Sequence, residues 1–469
     1  MKKIFFLVAR IITGITAILI SCSKKPVDDD RQNTPANHPP IAIEWQKAIG
    51  GAGADLANWV QLTTDGGYIL AGSTESQNGD ITGYHIGGYG CYVGCGTTYQ
   101  QICGYYPDVL VAKLSSTGAI QWQKSLGGTS ADNALCIQPT ADGGYITSGY
   151  TFSKDGDVTG YHTGNDEADA WVVKLNSSGD IQWQKALGGT GCDYFNRVLP
   201  TQDGGYILAG HSDSNDGDVV ATKKKDIWIV KLSSGGDIVW QKTIGGSNDE
   251  FAYALQLTAD GGYIVAGNTN SNDGDVSGFH GGSETDAWVV KLSSSGTIEW
   301  QKALGGSLYD CAKSIRPTSD GGYIVAGETK SYDGNINGAN HGGQDAWLIK
   351  LSSNGGLEWQ QALGGSDDET SQSLQITADG GYILAGYTAS SNGDVSGNHG
   401  HQDIWIVKLS NSGAMQWQKS LGGTNNENAQ CIQPSVDGGY IVSGRTFSND
   451  GQVSGNHGDS DAWIIKLKK

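Results

Sequence analysis

Six histidines follow one recurring loop signature. Segments reading S-x-[DN]-G-[DNQ]-[VI]-x-G lead into His85, His162, His280, His341, His399 and His457. An imidazole at such a position can carry a proton near neutral pH or bind a transition metal. Histidines spread over six separate loops would each need local Asp or Asn partners to hold an ion. The same loops carry Asp155, Asp157, Asp273 and Asp275, hard oxygen donors that make them candidate calcium ligands, although the EF-hand spacing with its terminal glutamate is absent. Tyr84, Tyr161 and Phe279 stand directly before His85, His162 and His280 and offer ring faces on which a sugar could stack. The third unit replaces the histidine stretch by a short basic one, Val219 to Lys225.

The largest irregularity is an excess of about 16 to 20 residues in the first unit, falling around 86–106. It carries Cys91, Cys95 and Cys103 together with Tyr89, Tyr92, Tyr99 and Tyr105. Tyrosine gives large contact area at low entropy cost, so this loop is the first candidate for a binding hot spot. In an oxidising compartment two of its cysteines pair and the third seeks a partner elsewhere, with Cys136 in the next unit as the candidate. The alternative is zinc held by the three cysteines and His85, at a spacing that matches no strong motif. Cys192, Cys311 and Cys431 read as small buried residues. No G-x-S-x-G, H-E-x-x-H or phosphate-binding glycine loop occurs. A carbohydrate hydrolase remains the alternative to a binding protein, because such enzymes set their carboxylates by geometry rather than by a linear motif.

These loops need a scaffold, and the repeats define it. Trp45, Trp122, Trp183, Trp240, Trp300, Trp359 and Trp417 share a W-Q-[KQ]-x-[LI]-G-G register, D-G-G-Y-I recurs seven times from Asp65 to Asp437, and D-x-[WL]-x-x-K-L seven times from Asp108 to Asp461. Each unit shows four short strand signals, for example 251–258, 262–267, 287–292 and 297–304, and four strands per repeat is a propeller blade. Runs such as Trp-Val-Val-Lys-Leu are apolar on successive residues, as strands covered on both faces are. The expected fold is therefore all-β: a seven-bladed β-propeller of four antiparallel strands per blade. The chain starts its first repeat with a W-Q-K strand (43–49) and ends on a D-x-W strand (461–467), so pairing of these two closes the ring and removes exposed edges.

Antiparallel blades put the links between second and third strands, and those between blades, on one loop-rich face, with the tight hairpins on the other. Thirteen of the 14 tryptophans occupy the two repeat registers and read as packing between blades. The acids ten residues before each D-G-G, such as Asp55 and Glu250, and the third-strand lysines, such as Lys113, recur in every unit and read as hydrogen-bonding scaffold.

The repeat resembles the GGYIVAG-type propeller repeats of secreted and surface bacterial proteins, and its K-L-x-x-x-G-x-[IL]-x-W stretch is similar to the PQQ-like, quinoprotein-type blade. That resemblance covers 41–469 and implies a fold and an extracytoplasmic setting, not one activity. Quinone-cofactor enzymes of that superfamily typically have eight blades and an adjacent cysteine pair, neither of which occurs here, so quinone redox chemistry is not expected and calcium remains the candidate cofactor. Upstream, Lys2, Lys3 and the apolar run 11–20 read as a signal peptide. Its end, Leu19-Ile20-Ser21-Cys22, resembles the lipobox of bacterial lipoproteins, which implies lipidation at Cys22. The sequence thus divides into a signal peptide (1–22), a polar, Pro-rich flexible tether (23–40) and the propeller (41–469). A net charge of -19 argues against a nucleic-acid partner, since phosphates would be repelled. The expectation is a lipid-anchored envelope protein of the outer membrane, periplasmic or surface-exposed, that binds a glycan or partner protein through its loop-rich face. A purely structural envelope role is the second alternative.

Overall fold

A computed structural model describes residues 41–94, 100–162, 167–220, 222–282, 284–336 and 340–469. Seven four-stranded antiparallel sheets are arranged as blades. Blade 1 runs Asp55–Leu62, Tyr68–Thr74, Asp108–Leu114 and Ile120–Leu126 from the inside outward, and each later repeat follows the same order. In blade 4 the strands are Glu250–Leu257, Tyr263–Thr269, Asp286–Leu292 and Ile298–Leu304, within two residues of the boundaries expected from the sequence.

Blade 7 is assembled from both ends of the described chain. Ala42–Ile49 pairs antiparallel with Asp461–Lys468 and forms its outermost strand. The ring is thereby closed as expected. Trp463 Nε1 donates to Gln46 Oε1 across this junction, repeating the bond that Trp228 makes to Gln241 and Trp288 to Gln301 inside single repeats.

The third strand of every blade is buried throughout its D-x-[WL]-x-x-K-L segment, which is why its sequence shows no polar alternation. Trp228, Trp288, Trp347, Trp405 and Trp463 are among the largest fully buried side chains. The outer-strand tryptophans are half-buried, and the next blade's hairpin covers each of them except Trp417. A Cβ on Gly118 would meet the Trp45 ring at 2.8 Å, and one on Gly179 the Trp122 ring at 2.7 Å. Both glycines also hold positive φ, 81° each, so the turn needs glycine for conformation and for clearance. Both tryptophan registers are therefore inter-blade packing.

The inner strands carry a β-bulge at one fixed place. Pairing skips between Ala57 and Trp59, Ala134 and Cys136, Phe195 and Arg197, Ala252 and Ala254, Ala312 and Ser314, and Ala429 and Cys431. A bulge re-aims the side chains of the extra residue and its neighbour, here toward the axis of the ring. Among the described residues no helix is long and apolar enough to cross a membrane.

Candidate functional site

The repeated polar residues form three sets of pins. In the first, the acid that opens each inner strand accepts from a glycine of the preceding inter-blade link and from a serine at the end of its own second strand. Asp55 Oδ2 takes Gly51 N at 2.9 Å and Ser76 Oγ at 2.7 Å, and Asp193 does the same with Gly189 and Ser214. Burial outweighs these bonds and pushes Asp55 and Asp310 up to about 6, Asp132 and Asp193 to about 7. In the second set, each third-strand lysine reaches the aspartate of its D-G-G hairpin, as Lys113 Nζ does to Asp65 Oδ2 at 2.8 Å and Lys408 to Asp379 at 3.0 Å. The bonds from Lys113 and Thr63 hold Asp65 down at about 2.

The loop histidines make the third set. His85 Nδ1 lies 3.0 Å from Asp108 Oδ2, His162 2.9 Å from Asp169, His280 2.6 Å from Asp286 and His341 2.7 Å from Asp345. In each case the histidine backbone N–H donates to the same oxygen. In three of the loop histidines the far ring nitrogen meets the next blade: His85 Nε2 is 3.8 Å from Asp157 Oδ2, His162 Nε2 3.6 Å from Asp218 Oδ2 and His399 Nε2 3.3 Å from Gln452 Nε2. These imidazoles bridge neighbouring blades. In blade 3, which has no histidine here, the Lys223 backbone N–H donates to Asp226 Oδ2 instead.

The candidate calcium ligands are engaged in the same way. Asp155 accepts from Thr129 N and Oγ1, Asp273 from Ser247 N, and Asp157 and Asp275 from Gly127 and Gly245 N. Among the described residues no three His, Cys, Asp or Glu side chains gather as a metal site. Tyr84 donates to the Tyr106 carbonyl at 2.5 Å, and Tyr161 donates to the Glu167 carbonyl with Lys154 over its ring. Phe279 is half-buried.

The first-unit excess is not an irregular loop throughout. It forms a separate antiparallel hairpin, Tyr89–Gly94 with Gln100–Tyr105, in which Cys91 stands across from Cys103 in the strand register and Tyr92 across from Ile102. Tyr105 and Ile86 are exposed. Cys22, Cys95 and Tyr99 lie outside the described residues.

Two cysteine expectations are corrected. Cys136 is no partner for the insertion: it is a free, fully buried thiol on the inner strand of blade 2, with Sγ directed at the Val198 carbonyl. Cys192, expected as a small buried thiol, is disulfide-bonded. It sits on the loop side of blade 3 among Tyr150, Phe152 and Tyr194. Cys311 and Cys431 are free and buried, as expected.

Sequence reasoning missed the axial channel. The bulge residues Asn58, Leu135, Asn196, Tyr253, Lys313 and Gln430, with Gln372 at the same place in blade 6, line a cavity of about 180 Å³, one from each blade, with Arg197 beside them. They lie in the half of the inner strand nearer the inter-blade links. Lys313 sits 4.0 Å over the Tyr253 ring and 3.6 Å from Glu328 Oε1. The Arg197 guanidinium reaches across to lie 4.3 Å over the Trp59 ring of blade 1. Further along the axis Arg316 donates to Gln375, and Gln375 to Gln433, in a chain across three blades. Two signals could have marked the channel: Trp59 is the tryptophan outside both repeat registers, and two of the three arginines between Ile41 and Lys469 fall on inner strands.

A second break in symmetry lies on the hairpin face, at the seam of blade 7. No third-to-fourth hairpin covers Trp417 there, since those strands come from the two ends of the described chain. A groove of about 470 Å³ lined by Ile41, Trp417, Pro434, Tyr440 and Lys469 takes its place.

The fold defines the class of protein, a closed seven-bladed β-propeller with an asymmetric axial pocket. No family model matches the chain. It is 23% identical over 384 residues, 74% of its length, to the regulatory protein FlaEY of Caulobacter vibrioides, and spans 38% of that relative's length. Among solved structures, it is similar to the WD40 β-propeller domain of Doa1 (TM-score 0.48, 10% identity, 92% of this chain and 98% of that one). It is also similar to the Pan2 WD40 domain of Neurospora crassa (TM-score 0.47, 8% identity, 90% and 95%). A Bacteroides caccae protein of unknown function matches at TM-score 0.39 and 13% identity over 66% of this chain and 89% of that one.

Proposed function

We propose that the protein is a binding and scaffold propeller of the bacterial cell envelope, held to a membrane through lipid on Cys22, that presents its loop-rich face to a surface glycan or partner protein. One observation carries the binding role. Three departures from sevenfold repetition gather on or toward that face: the Tyr89–Tyr105 hairpin, the basic Val219–Lys225 loop and the axial pocket. The opposite face consists mainly of pinned hairpins of one design. A rigid ring that varies toward one side suits recognition. The likeness to a regulatory protein agrees with binding rather than turnover. The GGYIVAG-type repeat and the lipobox support an exported, anchored setting.

The test is a glycan-array screen of the purified protein beside the same protein lacking 87–104, each with calcium and with EDTA. Binding that disappears with the deletion assigns recognition to the hairpin. Binding that survives it moves recognition to the rest of the face. Absence of any binding sinks the glycan reading and leaves a protein partner. Labelling with radioactive palmitate, lost in Cys22→Ala, checks the anchor.

A further inference from the structure

The middle of the axial channel is a concentration of hydrogen-bond donors with little to receive them. Arg197 directs only Nη1 to protein acceptors, the carbonyls of Asn196 and Leu135 at 2.8 and 3.5 Å. Arg316 uses Nε on Gln375 and Nη1 on its neighbour's carbonyl, Ile315. Among the described residues neither guanidinium makes an ion pair, and burial, with the Arg197 charge nearby, draws Arg316 down to about 10; burial lowers Arg197 as well. Trp59, 5% exposed, has its indole N–H buried with no acceptor. A buried donor without a partner is unfavourable in a folded protein, and so are two half-buried cations held on one channel wall without a counter-charge. The other blades place small residues at the Trp59 and Arg197 register, Cys136, Ala254, Ser314, Ser373 and Cys431, and Arg197 also lines the cavity bounded by the bulge residues.

We propose that the axial channel binds an oxyanion, a carboxylate or an inorganic phosphate or sulfate, between the guanidinium groups of Arg197 and Arg316 and the indole N–H of Trp59, with entry through the ring that contains Lys313 and Tyr253. Planar guanidinium forks match the paired oxygens of such anions, and a low-dielectric wall strengthens the bond. The site does not depend on what the outer loops recognise. A carboxylate belonging to an acidic sugar would reach it from the loop side, and a free inorganic oxyanion would fill it outright.

The experiment is calorimetric titration and thermal unfolding of the purified protein in a low-salt buffer. The probes are glucuronate, acetate, phosphate and sulfate, with glucose and chloride as controls. Oxyanions are expected to bind and to raise the unfolding midpoint, and glucose and chloride to do neither. Arg316→Gln is the decisive variant, because glutamine already occupies the same register in five other blades (Gln61, Gln138, Gln256, Gln375 and Gln433), so the ring accommodates it. It should unfold at a higher temperature than the parent without anion, since a half-buried like charge is removed, and should bind the oxyanion roughly tenfold or more weakly. Trp59→Phe should keep the fold and weaken binding less. Glucuronate binding well above acetate assigns the site to a sugar acid; phosphate or sulfate binding best assigns it to the free ion. The proposal is overturned if no oxyanion binds, if chloride saturates the site equally, or if Arg316→Gln binds as the parent does.

Discussion

Two sets of seven positions behave in opposite ways. Where a third-strand lysine meets its hairpin aspartate, all seven blades hold the same pair. At the inner-strand bulge, seven blades hold Asn, Leu, Asn, Tyr, Lys, Gln and Gln. A residue that each blade needs in order to grip its neighbour or its own turn stays uniform around the ring. One that faces the axis has no such duty to its own blade, and it is free to differ. Sevenfold uniformity therefore marks scaffold in this molecule, and its loss marks surface available for recognition.

The largest expected effect comes from emptying a position of the repeated scaffold. Trp405→Ala empties a fully buried repeat position and should destabilise the protein by about 3–5 kcal/mol in urea unfolding. A loss near that size at a bulge position would erase the distinction.

The acids that open the inner strands, another part of the scaffold, predict a pH response. The buried acids Asp55, Asp132, Asp193 and Asp310 have an ordinary value of 3.8 and are raised to about 6 or 7 in the fold. The native state therefore binds more protons than the unfolded chain between about pH 4 and 7. Their contribution is fully present below that window and is lost as pH rises through 6 to 7. The hairpin aspartates, held low by lysine, oppose this trend only below about pH 4. Unfolding midpoints should be higher by a few degrees at pH 5 than at pH 8, and the reverse order would mean that the acid pins do not dominate.

Smaller again is Asp379→Ala, which strips Lys408 of its carboxylate while leaving the lysine 6% exposed. A cost of about 1–3 kcal/mol is expected by chemical denaturation, restored in part by Lys408→Met in the same chain. The least effect belongs to Gln430→Ala on the axial ring, which makes one bond, to Asn428 at 3.3 Å, and should lie within about 0.5 kcal/mol of the parent.

The fold was legible because tandem repetition exposes strand, turn and packing positions seven times over. A register that recurs at Trp45, Trp122 and Trp183 leaves little room for another reading. The channel was not legible, because a β-bulge changes which side chains leave the strand on which side, and nothing in an inner-strand sequence such as D-L-A-N-W-V-Q-L announces one. The loop histidines drew attention for their chemistry, yet their ring nitrogens serve Asp108, Asp169 and the neighbouring blades. The bonded state of Cys192 is a matter of three-dimensional packing, which spacing alone could not supply.

Closure by Ala42–Ile49 against Asp461–Lys468 also sets a schedule. Trp463 and Gln46, which join across that seam, are 417 positions apart, so the Ala42–Ile49 strand emerges during synthesis long before its partner. Until then both rims of the incomplete ring carry unpaired strand edges, open to other chains. Blades can form one after another by local pairing, but the final closure is a single long-range event and slow by its topology. The interval before it is when a growing molecule is most exposed to aggregation, and a helper acting on this protein would be most useful in holding the Ala42–Ile49 strand.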